Sequence, residues 1–472
     1  MSTAAYRATL GELFRRRRFG MRPGLEVISA LGESLGAPQR KFPAVHVTGS
    51  KGKGSVSAMT QAILSAHGLR TGLFLSPHLA SYRERIQIDG TLISPAAVVR
   101  GLDRILHAER TLLAEGRIDR PATFFECTTA LAFDHFARSR VDAAVVEVGI
   151  GGRWDATNVL ASRVGVITTL ELEHTEILGP TIAAIAREKS GIFHAGMTGV
   201  LGELPAEGRT VIEAAAAEKA VPLWHLGREV KVENREVDAD GQAFDVHIPA
   251  RTFDRIRIPL LGRFQPGNTG LAVAAAARFL ESASAPIAPA SVRRGLRTIR
   301  WRGRMERIGR RPDVYLDVAH TPESVRAVAQ SLAEIDPAID ATDNAIVFGC
   351  LVGKDATAML STLAVLARTL VLVPVASERG MAPTELKVLA AGQFPIVVLA
   401  PNAVEGLQLA RAAVSREGLV LVTGSDYLVG DLLRALEGGA PAEEPDLSDP
   451  GRGPPPSLGE PTARPVTRGR KG

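Results

Sequence analysis

Residues 44–66 have the sequence AVHVTGSKGKGSVSAMTQAILSA, and this stretch decides the fold. Val45 and Val47 alternate with polar neighbours, which predicts a short strand over residues 42–48. Beyond Ser55 the apolar residues recur at helical spacing, which predicts a helix over residues 55–67 that stops at Gly68. The turn between them is rich in glycine and lysine. A strand, such a turn and a helix in this order are typical of a phosphate-binding loop.

The chemistry of this turn suits a nucleotide triphosphate. Glycines let backbone N–H groups face phosphate oxygens, and the N-terminus of the helix adds positive potential. Lys53 is placed to neutralise the β- and γ-phosphates, and Ser55 begins the helix close to any bound magnesium. The spacing differs from the Walker A motif, which would require a glycine where the chain has Val47. A flexible loop is the alternative, but the flanking strand and helix favour a nucleotide site formed by Gly49, Ser50, Lys51, Gly52, Lys53, Gly54 and Ser55.

Strand and helix patterns alternate in two parts of the chain. In the first part, apolar strands are predicted at 71–76, 143–148 and 164–170, so we expect a P-loop-type, mostly parallel α/β domain over residues 1–298. Alternating polar and apolar residues between 223 and 259 predict an antiparallel insertion in it. A second alternation from 314 to 423 indicates a smaller, Rossmann-like α/β domain over residues 299–438. Residues 439–472 are rich in proline and poor in apolar residues, and we expect a disordered tail.

Composition excludes several classes of protein. A formal net charge of +5 over 472 residues is too weak to predict nucleic-acid binding. Cys127 and Cys350 lie far apart in apolar segments, so neither a disulfide framework nor a four-cysteine metal site is expected. No run of about 18 apolar residues predicts a membrane span. We therefore expect a cytoplasmic monomer that binds small molecules and neither nucleic acid nor membrane.

Polar residues follow two further predicted strands. Glu147 ends the strand at 143–148, and His174 follows the strand at 164–170. Ligands of open α/β sheets bind beyond the carboxyl ends of the strands, and a carboxylate beside a phosphate loop suits Mg²⁺. Taken singly, each residue is more often a cap, an ion-pair partner or a structural histidine. Lys189, on a predicted helix just before Gly191, is by itself typical of a solvated lysine at a helix end.

These motifs, in their order along the chain, resemble the folylpolyglutamate synthase / dihydrofolate synthase family of the Mur ligase superfamily. The most specific piece is the run EVGIGGRWDATN at 147–158, followed by HTE at 174–176 and the segment SPHL at 76–79. Weaker pieces are TFFE at 123–126, Gln265 with Asn268, and Gly303 with Arg304. The resemblance implies an ATP-dependent ligase that joins L-glutamate to a folate or dihydropteroate carboxylate through an acyl phosphate.

The resemblance also implies roles for particular residues. ATP and Mg²⁺ would be the cofactors, with a monovalent cation as a further candidate. The magnesium ligands would be Ser76, Glu147, His174 and Lys189, the last as a carbamate. A carbamate would supply an anionic oxygen where an ammonium would repel the metal. Besides the phosphate loop, the nucleotide would be contacted by Asn268, Arg304 and Asp317. Catalytic candidates are Lys53, Lys189 and His320, and candidates for the pterin side of the pocket are Thr123, Arg153 and Asp155.

Three positions depart from the family pattern. Ser50-Lys51 replaces the usual Thr-Asn, and Phe264 replaces a histidine that often precedes the glutamine. The segment DVAHT at 317–321 replaces Asp-Gly-Ala-His-Asn and is closer to the muramyl peptide ligases. A Mur-type ligase for a cell-wall precursor is therefore the alternative enzyme. The alternative from another class is a non-catalytic ATP-binding regulator, which would bind ATP without releasing phosphate.

Overall fold

The structure, a computed structural model, describes residues 3–16, 20, 22–249, 251–335 and 341–437. The predicted tail at 439–472 lies outside the described residues. The helices are α1 (Thr3–Arg15), α2 (Glu26–Ser34), α3 (Lys53–Ala66), α4 (Pro95–Ala114), α5 (Phe124–Arg138), α6 (Thr175–Leu178), α7 (Ile182–Ser190), α8 (Ala206–Glu218), α9 (Gln265–Ser282), α10 (Pro289–Arg297), α11 (Pro322–Ile335), α12 (Ala356–Leu363), α13 (Pro383–Leu389), α14 (Ala403–Ala412) and α15 (Asp426–Leu436). Short 3₁₀ turns lie at Pro38–Arg40, Tyr82–Arg85, Ala156–Val159 and Ala341–Asp343.

The strands belong to three sheets. They are β1 (Ala44–Thr48), β2 (Thr71–Phe74), β3 (Ile86–Ile88), β4 (Thr91–Leu92), β5 (Ala143–Glu147), β6 (Val164–Ile167), β7 (Thr198–Leu201), β8 (Leu223–His225), β9 (Lys231–Asp238), β10 (Gly241–Ile248), β11 (Arg251–Ile258), β12 (Glu306–Gly309), β13 (Asp313–Leu316), β14 (Asn344–Phe348), β15 (Thr369–Leu372), β16 (Ile396–Leu399) and β17 (Leu419–Thr423). Their arrangement confirms the predicted fold class, a mostly parallel N-terminal α/β sheet followed by a separate C-terminal one.

The first sheet places β1 at its centre. Its strand order is β4-β3-β2-β5-β1-β6-β7-β8, and the strands from β2 to β8 are parallel, whereas β3 and β4 form an antiparallel edge. In the register, Val47 lies opposite Glu147 on one side, and Thr48 lies opposite Ile167 on the other. The carboxyl ends of β1, β5 and β6 are therefore level, and the loops that follow them lie together.

Both faces of this sheet are covered, which explains its nearly continuous apolar strands. Val45 and Val47 face the core that contains residues of α3, α9 and α10. Ala44, on the other face of β1, belongs to the core formed with α1, α2, α4 and α5. Alternate residues of β1 thus enter two different cores, as the pleat of a strand requires.

The antiparallel insertion is a three-stranded sheet with the order β11-β10-β9. The prediction of an insertion is confirmed for these strands, but its expected start at residue 223 is wrong. Leu223–His225 pairs in parallel with β7 and extends the main sheet. A strand of three residues is too short for its periodicity to show which sheet it joins.

The second sheet has the order β12-β13-β17-β14-β15-β16 and is parallel except for β12. The chain leaves α10 at Arg297 and enters β12 at Glu306, so it crosses between the two sheets over residues 298–305. Ala80, which follows β2, is buried in the core of this second part. Within the described ranges, no helix combines the length and apolar character that a membrane crossing needs. Cys127 and Cys350 are both buried and form no disulfide.

Candidate active site

A cleft opens where the carboxyl ends of β1, β5 and β6 face the second sheet. Its volume is about 2820 Å³, whereas pockets for one small ligand are usually about 300–1,000 Å³. The first part of the chain contributes Lys53, Glu147 and Asn268 to its walls, and the second part contributes Arg304 and His320. The cleft therefore has room for more than one substrate, between walls that come from both halves of the chain.

The phosphate loop is held by contacts that only glycine allows. Gly49 and Gly52 have φ values of +144° and +81°, where side chains are strained. A Cβ on Gly49 would lie 1.9 Å from Thr168 Oγ1, and a Cβ on Gly52 would lie 2.6 Å from Asn268 Oδ1. Ser50 N also donates to the carbonyl oxygen of Thr169 at 2.9 Å. The loop thus presses on the end of β6 and on α9, and this fixes the direction of its backbone.

Lys53 and the start of α3 give this loop its positive character. Gly52 precedes α3 without any side-chain cap, so the first-turn N–H groups of the helix are available to an anion. Lys53 Nζ donates to Gly49 O at 2.8 Å and to Ser50 O at 3.4 Å, so the ammonium lies over the loop. Of the seven predicted loop residues, all except Gly49 line the cleft.

Glu147 is a buried carboxylate at the end of β5. Its side chain is only 5% exposed, and Oε2 accepts a hydrogen bond from Ser76 N at 3.0 Å. Burial raises the pKa of its carboxyl to about 7, although the charge of Lys53 and the bond from Ser76 oppose the rise. A buried anionic oxygen that lacks sufficient counter-charge suits a hard cation such as Mg²⁺.

The other metal candidates surround this region without forming a complete site of protein ligands. Ser76 and His174 line the cleft, and His174 precedes α6 with φ of +47°. In the described part of the chain, no three His, Cys, Asp or Glu side chains are grouped as a metal site. A cation beside Glu147 would therefore need hydroxyl, phosphate or modified-lysine oxygens as well.

Lys189 is buried, contrary to what its sequence context alone suggests. It lies in the last turn of α7, is 1% exposed, and donates from Nζ to Glu173 Oε1 at 3.0 Å. Burial and the nearby charge of Lys53 lower the pKa of its amine to about 8, although Glu173 opposes the shift. The expectation of a solvated helix-end lysine is wrong because α7 turns this residue inward, towards the carboxyl end of the sheet.

Glu173 is a site residue that the sequence analysis did not identify. Burial alone would raise the pKa of its carboxyl, but the charges of Lys189 and Lys53 outweigh burial and lower it. Its acidic turn, ELE at 171–173, is visible in the sequence, yet nothing there indicates which cation it meets. Trp301 was also not identified, and its ring would lie 2.7 Å from a Cβ on Gly54.

Two of the three pterin-side candidates line the cleft, but their polar atoms already hold the backbone. Thr123 caps α5, and its Oγ1 accepts from Glu126 N at 3.2 Å. Asp155 Oδ2 accepts from Gly149 N at 3.0 Å and from Ile150 N at 3.1 Å. Burial raises the pKa of the Asp155 carboxyl, against the effect of these hydrogen bonds. Both side chains therefore shape the pocket wall.

Arg153, the third candidate, is placed differently. It is not among the described residues that line the cleft. Its Nε lies 3.8 Å from Glu188 Oε1, and the side chain is 41% exposed. A pocket contact by this guanidinium would need a change of side-chain conformation.

The second half of the chain contributes Arg304, Asp317 and His320. Asp317 is buried, and its two carboxylate oxygens accept from Met305 N and Ala319 N, each at 2.8 Å. Burial raises the pKa of this carboxyl, and the charge of exposed Arg304 opposes the rise. Asp317 thus fixes the backbone immediately after Arg304 and immediately before His320.

His320 presents one ring nitrogen to the cleft. Its Nδ1 lies 2.9 Å from the carbonyl oxygen of Val318, which can only accept, so Nδ1 carries the proton. Burial lowers the pKa of the imidazole, which keeps the ring neutral. The lone pair of a neutral imidazole protonated at Nδ1 is on Nε2.

Two family models match the chain, the Mur ligase middle domain over residues 47–276 and the Mur ligase glutamate ligase domain over residues 303–426. The folylpolyglutamate synthase of Lacticaseibacillus casei is 32% identical over 413 residues, which cover 87% of this chain and 94% of that protein. The chain belongs to the folylpolyglutamate synthase / dihydrofolate synthase family of Mur ligases.

Other members of this folylpolyglutamate synthase family extend the comparison. A Haloferax volcanii protein described as "Probable bifunctional folylpolyglutamate synthase/dihydropteroate synthase" is 36% identical over 439 residues, which are 90% of this chain. The chain spans 50% of the length of that relative. The crystal structure of Mycobacterium tuberculosis folylpolyglutamate synthase complexed with ADP and AMPPCP superposes with a TM-score of 0.83 at 33% identity, and covers 93% of this chain and 100% of that one.

Proposed function

We propose that this chain is an ATP-dependent ligase that forms an amide bond between L-glutamate and the carboxylate of a folate or dihydropteroate. The observation that carries this proposal is that the phosphate loop and Glu147 follow the level ends of β1 and β5 and line one cleft. Lys189 of α7 is tied to the segment after β6 by its hydrogen bond to Glu173. Arg304 and His320 face them from the second sheet. Membership of the folylpolyglutamate synthase family supports the choice of substrates.

The reaction proceeds in two steps. An oxygen of the acceptor carboxylate attacks the γ-phosphorus of ATP, the bond to the β-phosphate oxygen breaks, and ADP leaves, giving an acyl phosphate. The amine of glutamate then attacks the acyl carbon, loses a proton, and inorganic phosphate leaves with the former carboxylate oxygen. The chain mainly positions the reactants and neutralises charge. Lys53 and the N-terminus of α3 supply positive charge at the transferred phosphate.

Four residues would hold the magnesium ion. They are Ser76, Glu147, His174 and Lys189, the last as a carbamate. When bound, Mg²⁺ neutralises phosphate charge and fixes the phosphate oxygens. Carbamylation needs a neutral amine, and a Lys189 pKa of about 8 gives an appreciable neutral fraction at physiological pH. The amine nitrogen attacks the carbon of CO₂ and releases one proton, which leaves an anionic carbamate oxygen at the end of this side chain.

The remaining residues bind the substrates from both sides of the cleft. Asn268 reaches the nucleotide from the first domain, residues 1–298, and Arg304 and Asp317 act from the second, residues 299–438. Neutral Nε2 of His320 accepts a hydrogen bond from the incoming amine and orients it. Thr123 and Asp155 shape the pterin side of the pocket, with Arg153 joining after a side-chain movement. Closure of the two domains completes the site.

Product analysis tests this function directly. Purified protein, ATP, Mg²⁺ and L-glutamate are combined with dihydropteroate, tetrahydrofolate or a muramyl precursor, and phosphate release and product mass are followed. The expected product is an acceptor heavier by one glutamyl residue, formed with a folate-type acceptor. Ligation of the muramyl precursor alone would establish the cell-wall alternative. ATP binding without phosphate release under any condition would establish a non-catalytic regulator.

A further inference from the structure

Two aromatic rings stand out among the exposed side chains of the described residues. Ten large hydrophobic side chains are exposed there, and only Trp154, at 50%, and Phe264, at 41%, line the cleft. Single exposed apolar residues are ordinary on a protein surface. Here, however, the only two that face the cleft are flat rings, and aromatic rings in ligand sites commonly stack on flat ligands.

Phe264 lines the cleft at the start of α9, the helix whose Asn268 meets the phosphate loop. It immediately precedes α9, four residues before Asn268, so the two side chains share one face of the helix start. Asn268 Oδ1 is 2.6 Å from the position of a Cβ on Gly52. A Cβ on Gly262, which has φ of +110°, would lie 2.9 Å from the Phe264 ring. Glycine at 262 therefore makes room for the ring where it stands.

Trp154 lines the cleft from the loop that follows Glu147. It belongs to the loop after β5, and the next residue, Asp155, accepts hydrogen bonds from Gly149 N and Ile150 N. These bonds fix the loop backbone that carries the indole. The connection to the phosphate loop runs through Glu147, whose Oε2 is 3.6 Å from the position of a Cβ on Gly54. Trp154 and Phe264 are thus reached from the loop by separate routes.

We infer that Phe264 stacks on the purine ring of ATP and that Trp154 stacks on the pterin ring of the acceptor. The inference rests on the proposed ligase function. In phosphoryl transfer the attacking and leaving oxygens lie roughly in line, so the acceptor and ADP occupy different sides of the γ-phosphorus. On the proposed function the magnesium ion and the acceptor carboxylate would lie on the side of Glu147, and Trp154 belongs to the loop that follows Glu147. The opposite route, through Gly52 and Asn268, leads to Phe264.

Replacing each ring should weaken the binding of a different substrate. Trp154→Ala should raise KM for tetrahydrofolate or dihydropteroate roughly tenfold or more, with KM for ATP within about twofold of wild type. Phe264→Ala should raise KM for ATP roughly tenfold or more and leave KM for the acceptor within about twofold. The conservative variants Trp154→Phe and Phe264→His keep a flat ring and should restore most of each loss.

Leu172→Ala is the matched control, because Leu172 is 61% exposed yet does not line the cleft. It should leave both KM values unchanged, and circular dichroism should show that every variant is folded. Exchanged effects, equal effects on both substrates, or no effect of either alanine variant would overturn the inference.

Binding measured without turnover separates this inference from the ligase function. Calorimetry of ATP binding should show a weaker affinity for Phe264→Ala than for wild type, even if no acceptor is ever ligated. Folate binding should quench the tryptophan fluorescence of wild type and quench Trp154→Phe less, because only Trp301 of the other two tryptophans lines the cleft. Trp154→Phe/Trp301→Phe should keep no ligand-dependent quenching, whereas Trp301→Phe alone should keep the Trp154 share. If no acceptor is ligated but binding still depends on the two rings, the ligase function is refuted and the stacking inference stands. If the acceptor is ligated but binding does not depend on either ring, only the stacking inference is refuted.

Discussion

Replacing Glu147 with glutamine should stabilise the ligand-free protein at alkaline pH while it destroys catalysis. Burial raises the pKa of the Glu147 carboxyl from the ordinary 4.5 to about 7. Between these values the native state holds a proton that the unfolded chain releases, so the stability of the fold decreases as the pH rises through this window. Each pH unit is worth about 1.4 kcal/mol, which makes the full loss above pH 7 about 3 kcal/mol.

Glutamine matches the shape of glutamate, and its amide oxygen can still accept the hydrogen bond from Ser76 N. The variant therefore removes the charge without leaving a cavity. Hydrogen exchange of the β5 amides in ligand-free protein reports the local stability, measured at pH 5 and at pH 8. Glu147→Gln should exceed wild type by less than about 1 kcal/mol at pH 5, and the variant should be more protected by about 3 kcal/mol at pH 8.

The matched control is Glu176→Gln, because Glu176 is an exposed carboxylate of the same cleft. It should show wild-type protection at both pH values. Mg²⁺ with ATP should protect wild type and protect Glu147→Gln far less, since the variant lacks one proposed metal ligand. A gain of equal size at pH 5 and pH 8, or no gain at pH 8, would contradict the reasoning.

Three further predictions concern the same site. Lys53→Ala should fold normally and lower kcat by roughly 10²–10³ or more, because one positive group at the transferred phosphate is lost; steady-state phosphate release measures this. Lys189→Ala should be inactive. Wild type in CO₂-free buffer should lose activity, bicarbonate should restore it, and ¹³C NMR should then detect the labelled carbamate. Activity that is independent of CO₂ would contradict the carbamate. Gly52→Ala should lower stability by about 1 kcal/mol or more and abolish ATP binding in calorimetry, because its Cβ would meet Asn268.

The parallel strands were the part of the fold most readily predicted from the sequence. β1, β5 and the second-domain strands β14 and β17 are buried on both faces, so they appear as short apolar runs between glycines and polar residues. Helix ends were predicted less well. The helix predicted over residues 55–67 begins earlier, at Lys53, and ends at Ala66. The order of the strands could not be predicted, because pairing depends on contacts between segments far apart in the chain.

The sequence could predict those site residues whose position depends only on the order and direction of the strands. Glu147 and His174 follow parallel strands, and the rule about strand ends places both at one edge of the sheet. The roles of Thr123 and Asp155 depend instead on local hydrogen bonds. The sequence TFFE at 123–126 is a capping box, and this pattern already indicates that the threonine hydroxyl is occupied by the helix start. The capping-box pattern therefore indicates a structural role for Thr123 and not a binding role.

Lys189 shows what the sequence could not reveal. Its burial depends on how α7 packs against the carboxyl end of the sheet, and its partner Glu173 lies in a loop with no regular pattern. The consequence is electrostatic. With pKa values of about 7 and about 8, Glu147 and Lys189 are both shifted towards their neutral forms in the ligand-free protein.

These opposite shifts explain why the site should respond strongly to its ligands. Burial disfavours the charge on each group, and Lys53 adds repulsion to Lys189 while it attracts Glu147. Conversion of Lys189 to a carbamate replaces a repelled cation by an anion, which Lys53 then stabilises. A magnesium ion would in turn balance two buried anions, so carbamate and metal should stabilise each other. The binding of one should therefore depend steeply on the presence of the other, and neither should be retained in a variant that lacks Glu147.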